Sequence, residues 1–204
     1  MGNRLTKLIV LSVITLFAVG VASALILRAQ KPQGPEGSKY TYAPKSVKAN
    51  NQETEVLAPD GKMTLVMKEE KGKESTEYIF SVSSPTGGQK EVYRETINPS
   101  GSIQIPYNTF SPDDKYFFLK KVDSGKTSFF VLSTAGTALG KDSPFLEFSS
   151  SFETKYPDYK IKDATGWGGM TLIIINTDKV SGGQGPSFWF DVTSNRFIQL
   201  SSHF

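Results

Sequence analysis

The sequence has no cysteine and a single histidine, His203. Without Cys there is no disulfide framework, no thiolate nucleophile, no thiolate metal site and no lipid-modified cysteine anchor. Metal centres built on Cys and His are excluded by the same count. His203 stands one residue from the end, where chains usually fray, so no catalytic or metal-binding role is expected of it. Other signatures of chemistry are missing as well. There is no Gly-x-Ser-x-Gly elbow to poise a serine and no Asp-x-Asp-x-Asp-Gly calcium loop. The glycine-rich piece Gly182-Gly183-Gln184-Gly185 precedes a β-type run rather than a helix, so it does not aim a helix N-terminus at phosphate. An excess of one charge is lacking too: 23 Lys and Arg against 20 Asp and Glu leave a net charge of +3. The basic residues are dispersed, whereas nucleic-acid binding needs them gathered on one face. The sequence therefore predicts no catalytic residues, no cofactor, no metal and no nucleic-acid partner.

The strongest positive feature is at the N-terminus. Residues 1–7 carry Arg4, Lys7 and no acid, and Leu8 to Leu27 follow without one charged residue. At 1.5 Å per residue such a helix spans about 30 Å, the thickness of a hydrocarbon core. Its polar members are Ser12, Thr15 and Ser23, whose hydroxyls can bond back to the preceding turn. A small-x-small cleavage site exists at Ala22-Ser23-Ala24, but Leu25, Ile26 and Leu27 carry the apolar run past it. That length suits a permanent span better than a cleaved signal. The expectation is a short cytoplasmic tail (1–7), a single transmembrane helix with its ends at Leu8 and Leu27, and an extracytoplasmic remainder, in a bacterial envelope. The acid-free tail argues for an N-terminus held inside, although Arg28, Lys31, Lys39 and Lys45 make the other flank basic as well. Residues 28–52 hold Pro32, Pro35, Pro44, Gly34 and Gly37 with no apolar period, the composition of a flexible linker.

From residue 53 to 204 the sequence repeats itself. LAPDGKMTLVMKE from Leu57, FSPDDKYFFLKKV from Phe110 and ATGWGGMTLIIINT from Ala164 align on Lys62, Lys115 and Gly169, a period of about 53 residues. Each is followed by a second apolar run (YIFSV, SFFVL, SFWFDV) and a third (EVYRETI, PFLEFSS, RFIQLSS). The runs are β-branched, aromatic and aliphatic, and suit strands covered on both faces. Pro59-Asp60-Gly61 and Pro112-Asp113-Asp114 are turn chemistry, as are Pro85-Thr86-Gly87-Gly88 and Ser181-Gly182-Gly183. No window after the first 52 residues has a helical period with caps. The fold class predicted is all-β, with repeats near 53–106, 107–160 and 161–204.

A period of about fifty residues with four strands has the size of one propeller blade. Phe110-Ser111-Pro112-Asp113 with Lys115, and Ala58-Pro59-Asp60-Gly61-Lys62, resemble the TolB-type or PD40 (WD40-like) β-propeller repeat. In that pattern an aromatic and Ser-Pro-Asp-Gly-Lys lead into a strand. Asp114 replaces the glycine. In the third copy Thr165-Gly166-Trp167-Gly168-Gly169 keep turn character but lose Pro, Asp and Lys. The resemblance implies a propeller-like array of three blades. Closed propellers use four to eight, so three blades imply an open array, two chains paired as a homodimer into a six-bladed ring, or a different sandwich or barrel.

The carboxylate pairs Asp113-Asp114 and Glu69-Glu70 read as a turn and a solvated strand end. Phe129, Phe130, Phe188 and Trp189 read as core. Tyr156, Tyr159 and Trp167 are the candidate partner-binding residues, an aromatic surface for a protein or glycan, or else a cap on the last repeat. The functional expectation is a non-enzymatic, membrane-anchored, extracytoplasmic propeller-like binding or scaffold module. An envelope hydrolase using carboxylates or a serine with His203, and a membrane-tethered sensor or assembly accessory, are the alternatives.

Overall fold

The computed structural model describes residues 53–141 and 143–200. The predicted tail, anchor helix and linker lie outside the described residues, as does His203. Among the described residues no helix is long and apolar enough to cross a membrane.

Among the described residues twelve strands form three four-stranded antiparallel sheets, each a simple meander. The first holds β1 (Glu53–Leu57), β2 (Thr64–Lys71), β3 (Thr76–Ser84) and β4 (Gly88–Ile97). The second holds β5 (Ser102–Gln104), β6 (Tyr116–Asp123), β7 (Lys126–Ser133) and β8 (Phe145–Glu147). The third holds β9 (Tyr159–Trp167), β10 (Leu172–Lys179), β11 (Phe188–Asp191) and β12 (Arg196–Gln199). The three aligned apolar runs become β2, β6 and β10. The runs after them fall on β3, β7, β11 and then β4, β8, β12. All-β architecture with blade-like meanders is thus what the chain adopts.

Two cores separate three layers. The first, between the first and second sheets, gathers Leu65, Phe80, Val82, Tyr93, Phe117, Leu119, Phe130 and Leu132. The second, between the second and third sheets, gathers Phe118, Phe129, Val131, Phe148, Phe152, Ile173, Ile175, Phe188 and Phe190. Successive strand residues point to opposite faces. In β6, Phe117 and Leu119 therefore enter the first core while Phe118 enters the second. In β7, Phe130 and Leu132 face one way, Phe129 and Val131 the other. This is why both strands are apolar without alternation: the middle sheet is covered on both sides. The outer sheets alternate. In β2, Leu65 is buried while Lys68 and Glu70 form a 2.6 Å ion pair on the outward face. Arg94 of β4 joins Glu77 of β3 and Glu91 on that same outward face.

Among the described residues one short helix departs from the all-strand expectation: α1 (Ser149–Lys155). It begins directly after β8, and the Glu147 carboxylate accepts from the Ser149 and Ser150 amides at 2.7 and 3.1 Å. Those are first-turn amides with no partner inside a helix. The stretch SSSFETK has no periodic apolar face, only Phe152 buried beneath it at 0 % exposure. The Glu147 carboxylate, two residues before the helix start, plus one anchor, is enough to hold two turns that periodicity does not signal.

The third repeat also differs in detail. Thr165, Gly166 and Trp167 are not turn residues but the end of β9, and the reversal follows in Gly168–Thr171, where the Gly168 amide donates to the Leu172 carbonyl at 2.7 Å. A register shift lies between Ile174 and Ile175, opposite Gly166 and Ala164. Gly166 has φ 143°, and a Cβ there would stand 3.1 Å from Asn108 Cβ. The bulge, the left-handed backbone and the close approach together require glycine.

Candidate functional site

The turns that carry the repeat motif share their backbone bonds and their aspartate–lysine contacts. In the first, the Ala58 amide donates to Met63 O (2.8 Å) and the Gly61 amide to Ala58 O (2.9 Å). In the second, Ser111 donates to Tyr116 O (2.9 Å) and Asp114 to Ser111 O (2.9 Å). Asp60 Oδ1 takes the Lys62 amide at 2.7 Å, as Asp113 Oδ1 takes the Lys115 amide at 3.4 Å. Each lysine also salt-bridges its aspartate, at 3.4 and 3.0 Å. Gly61 has φ 72° and Asp114, its counterpart, φ 56°. Asp114 thus occupies a left-handed position that glycine fills in the first copy, one that Asp tolerates better than most residues.

The difference matters because Asp114 carries a carboxyl where Gly61 carries nothing. That carboxyl lies against the turn of the first sheet, within hydrogen-bonding reach of the Asp60 carboxyl. Asp114 is 6 % exposed, and its Oδ1 has no hydrogen-bond donor. Burial, followed by the Asp60 carboxylate, pushes Asp114 up to about 6. Asp60 is held below the usual range, chiefly by the Lys62 backbone amide. Burial works to raise Asp113, but the hydrogen bonds of Lys115 and Ser111 outweigh it and leave its carboxyl low. Ser111 Oγ donates to Asp113 at 2.8 Å and accepts from the Tyr116 amide at 3.0 Å. Adjacent aspartates in sequence therefore separate in role: Asp113 serves its own turn, and Asp114 reaches across to the neighbouring sheet. Sequence reading assigned both to turn chemistry. The usable signal was the substitution of Asp for Gly in one of two otherwise matching motifs.

Chemically, this pair can hold and release a proton. Among the described residues no group of three or more His, Asp or Glu is placed to hold a metal. The other adjacent carboxylates part company as well: Glu69 accepts from Tyr78 Oη at 3.0 Å on the inner side, and Glu70 pairs with Lys68 outside.

The aromatic trio does not form one surface. Tyr156 packs on Phe188 (4.8 Å between centroids) and Phe152 (5.2 Å), and Tyr159 on Phe188 (6.1 Å). Trp167 stacks on Tyr116 (6.4 Å), meets Phe118 edge-on, and donates from Nε1 to Thr109 O at 3.0 Å. Tyr159 and Trp167 begin and end β9, about 26 Å apart at the usual rise per strand residue. All three are half-buried against the second core. Phe129, Phe130 and Phe188 are core as expected, at no more than 2 % exposure. Trp189 is not: it is half-buried on the outward face of the third sheet, directly between Ile174 and Ile198 in cross-strand register. With Ile198 at 46 % exposure, this row puts apolar side chains on the outward face of the third sheet where that of the first is ion-paired. Comparison with protein-family models and with curated proteins finds no match for this chain.

Proposed function

We propose that the protein is a membrane-anchored, extracytoplasmic, propeller-like binding or scaffold module of the TolB type, and not an enzyme. The observation that carries this reading is the architecture: three successive four-stranded meanders stacked face to face. Each meander is one structural repeat, and stacked repeats present extended surfaces on which partners are held. The apolar segment Leu8–Leu27 supplies the tether in this reading. The outward apolar row of the third sheet leaves that end of the stack ready for another protein, whereas the ion pairs on the first sheet favour water.

Two measurements on the full chain in cells test this. A reporter active only outside the cytoplasm, fused at the C-terminus, should be active. A photo-crosslinking residue at Ile198 should capture a protein, and one at Arg94 should not. Equal or absent capture at both positions would remove the binding reading. An adduct of twice the chain mass would identify the partner as a second copy.

A further inference from the structure

Each repeat turn satisfies its own first aspartate. Asp60 has the Lys62 amide and ammonium, and Asp113 has Ser111 and the Lys115 amide and ammonium. Asp114 is left over. It is buried, it is held in place by a left-handed backbone, and its Oδ1 meets no donor. The groups that face it are the carboxyls of Asp60 and Asp113 and the backbone amide of Asp60. The lysines of the two turns do not compensate it: they sit on Asp60 Oδ2 and Asp113 Oδ2, with side chains 77 % and 71 % exposed. Two carboxylates in contact resist being charged together, and a carboxyl O–H between them supplies the donor that is otherwise missing.

We infer that Asp60 and Asp114 hold one proton between them, and that this proton latches the first sheet to the second. The latch joins different repeats, since Asp60 lies between β1 and β2 and Asp114 between β5 and β6. It closes one end of the first core. The tie farther along that interface is of another kind: Lys121 of β6 meets Glu95 of β4 at 2.7 Å, and Tyr93 donates to the same carboxylate at 2.6 Å. That tie needs no shared proton, so the device is confined to the turn end.

The direction of the effect follows from linkage. Asp114 sits at about 6 in the folded domain and near 3.8 as an ordinary aspartate. The folded state binds the proton more tightly, so the latch is complete below the unfolded value and is lost as pH rises through about 6. Carboxylates that are held low, Asp60, Asp113, Asp123 and Asp191, act oppositely and only in stronger acid. The junction of the first two sheets is therefore tightest on the mildly acidic side of neutrality and loosens toward alkaline pH.

Hydrogen exchange on the full chain in detergent tests this at the junction itself. Between pH 4.5 and 7.5 the protection factors of β2 and β3 amides should fall on the order of thirtyfold in the native protein. In Asp114→Asn, whose amide donates to Asp60 without titrating, they should stay level. Should Asp114→Asn not fold, Asp60→Asn removes the second carboxyl from a more exposed position; burial still raises Asp114, so the decline should persist but be smaller, with its midpoint at lower pH than in the native chain. An unchanged decline in the variant that folds, or no decline in the native chain, would overturn the latch. So would protection at pH 8 restored by calcium in the native chain but not in the variant, which would make the pair a cation site.

Discussion

At the scale of single residues, backbone conformation explains more of this protein than side-chain chemistry does. Gly61 and Asp114 adopt the same left-handed turn, and only one of them can do so without strain. Nothing lies within 4 Å of a Cβ built on Gly61, so Gly61→Ala isolates the backbone cost. It should destabilise the domain by about 1 kcal/mol, read as a shift in urea midpoint without a change in slope. Gly166→Ala adds a contact 3.1 Å from Asn108 Cβ to a φ of 143° and should cost more, about 1–3 kcal/mol. If both variants matched the native midpoint, the turn and bulge geometry described for them would be wrong. The turn motif itself was legible from Pro59-Asp60-Gly61-Lys62 and Pro112-Asp113-Asp114-Lys115, because turn chemistry is local. The partner of Asp114 was not, because a contact over more than fifty residues leaves no trace in local spacing.

At the scale of elements, the strands follow from their composition and the helix does not. β6 and β7 read as continuous apolar runs and are buried on both faces. β10 alternates in burial because one of its faces is turned outward. α1 depends on particular contacts: the Glu147 cap and Phe152, which meets Phe188 at 4.9 Å and Phe197 at 5.2 Å between centroids. Glu147→Ala should cost about 1 kcal/mol, the usual worth of an N-terminal cap. Phe152→Ala should cost about 3–5 kcal/mol through the cavity it leaves. Circular dichroism with urea titration separates the two, and a Phe152→Ala cost no larger than the cap's would mean the helix is not anchored through the core. The trio Tyr156, Tyr159 and Trp167 also belongs at this scale. An irregular stretch around Pro157 suggested exposed aromatics, but α1 and β9 turn these side chains onto Phe152, Phe188 and Phe118.

At the scale of the whole molecule, the middle sheet couples the other two. It contributes side chains to both cores, so loss of either core exposes one of its faces. Leu65 lies in the first core at 0 % exposure, and both tryptophans, Trp167 and Trp189, lie on the third sheet. Leu65→Ala should nevertheless lower the unfolding midpoint seen by tryptophan fluorescence, by an amount equivalent to about 2–5 kcal/mol, and the fluorescence transition should coincide with that seen by circular dichroism. A tryptophan transition indifferent to Leu65 would mean that the sheets unfold separately. Ion pairs between sheets, such as Lys120 with Asp163 at 3.9 Å, are partly exposed and add little to this coupling.

What the sequence by itself determined is whatever depends on near neighbours. The repeat period, the apolar strands, the turn residues and the all-β class are properties of short windows, since strand pairing in a meander joins segments adjacent in the chain. The tertiary structure alone decided which faces meet. Stacking placed Asp114 on Asp60, folded the candidate aromatics inward, and left Trp189 on the outside of the last sheet. The physical reason is the same in each case. Burial and electrostatic pairing are set by distance in space, and the face a residue presents has a partner only when another sheet arrives to cover it.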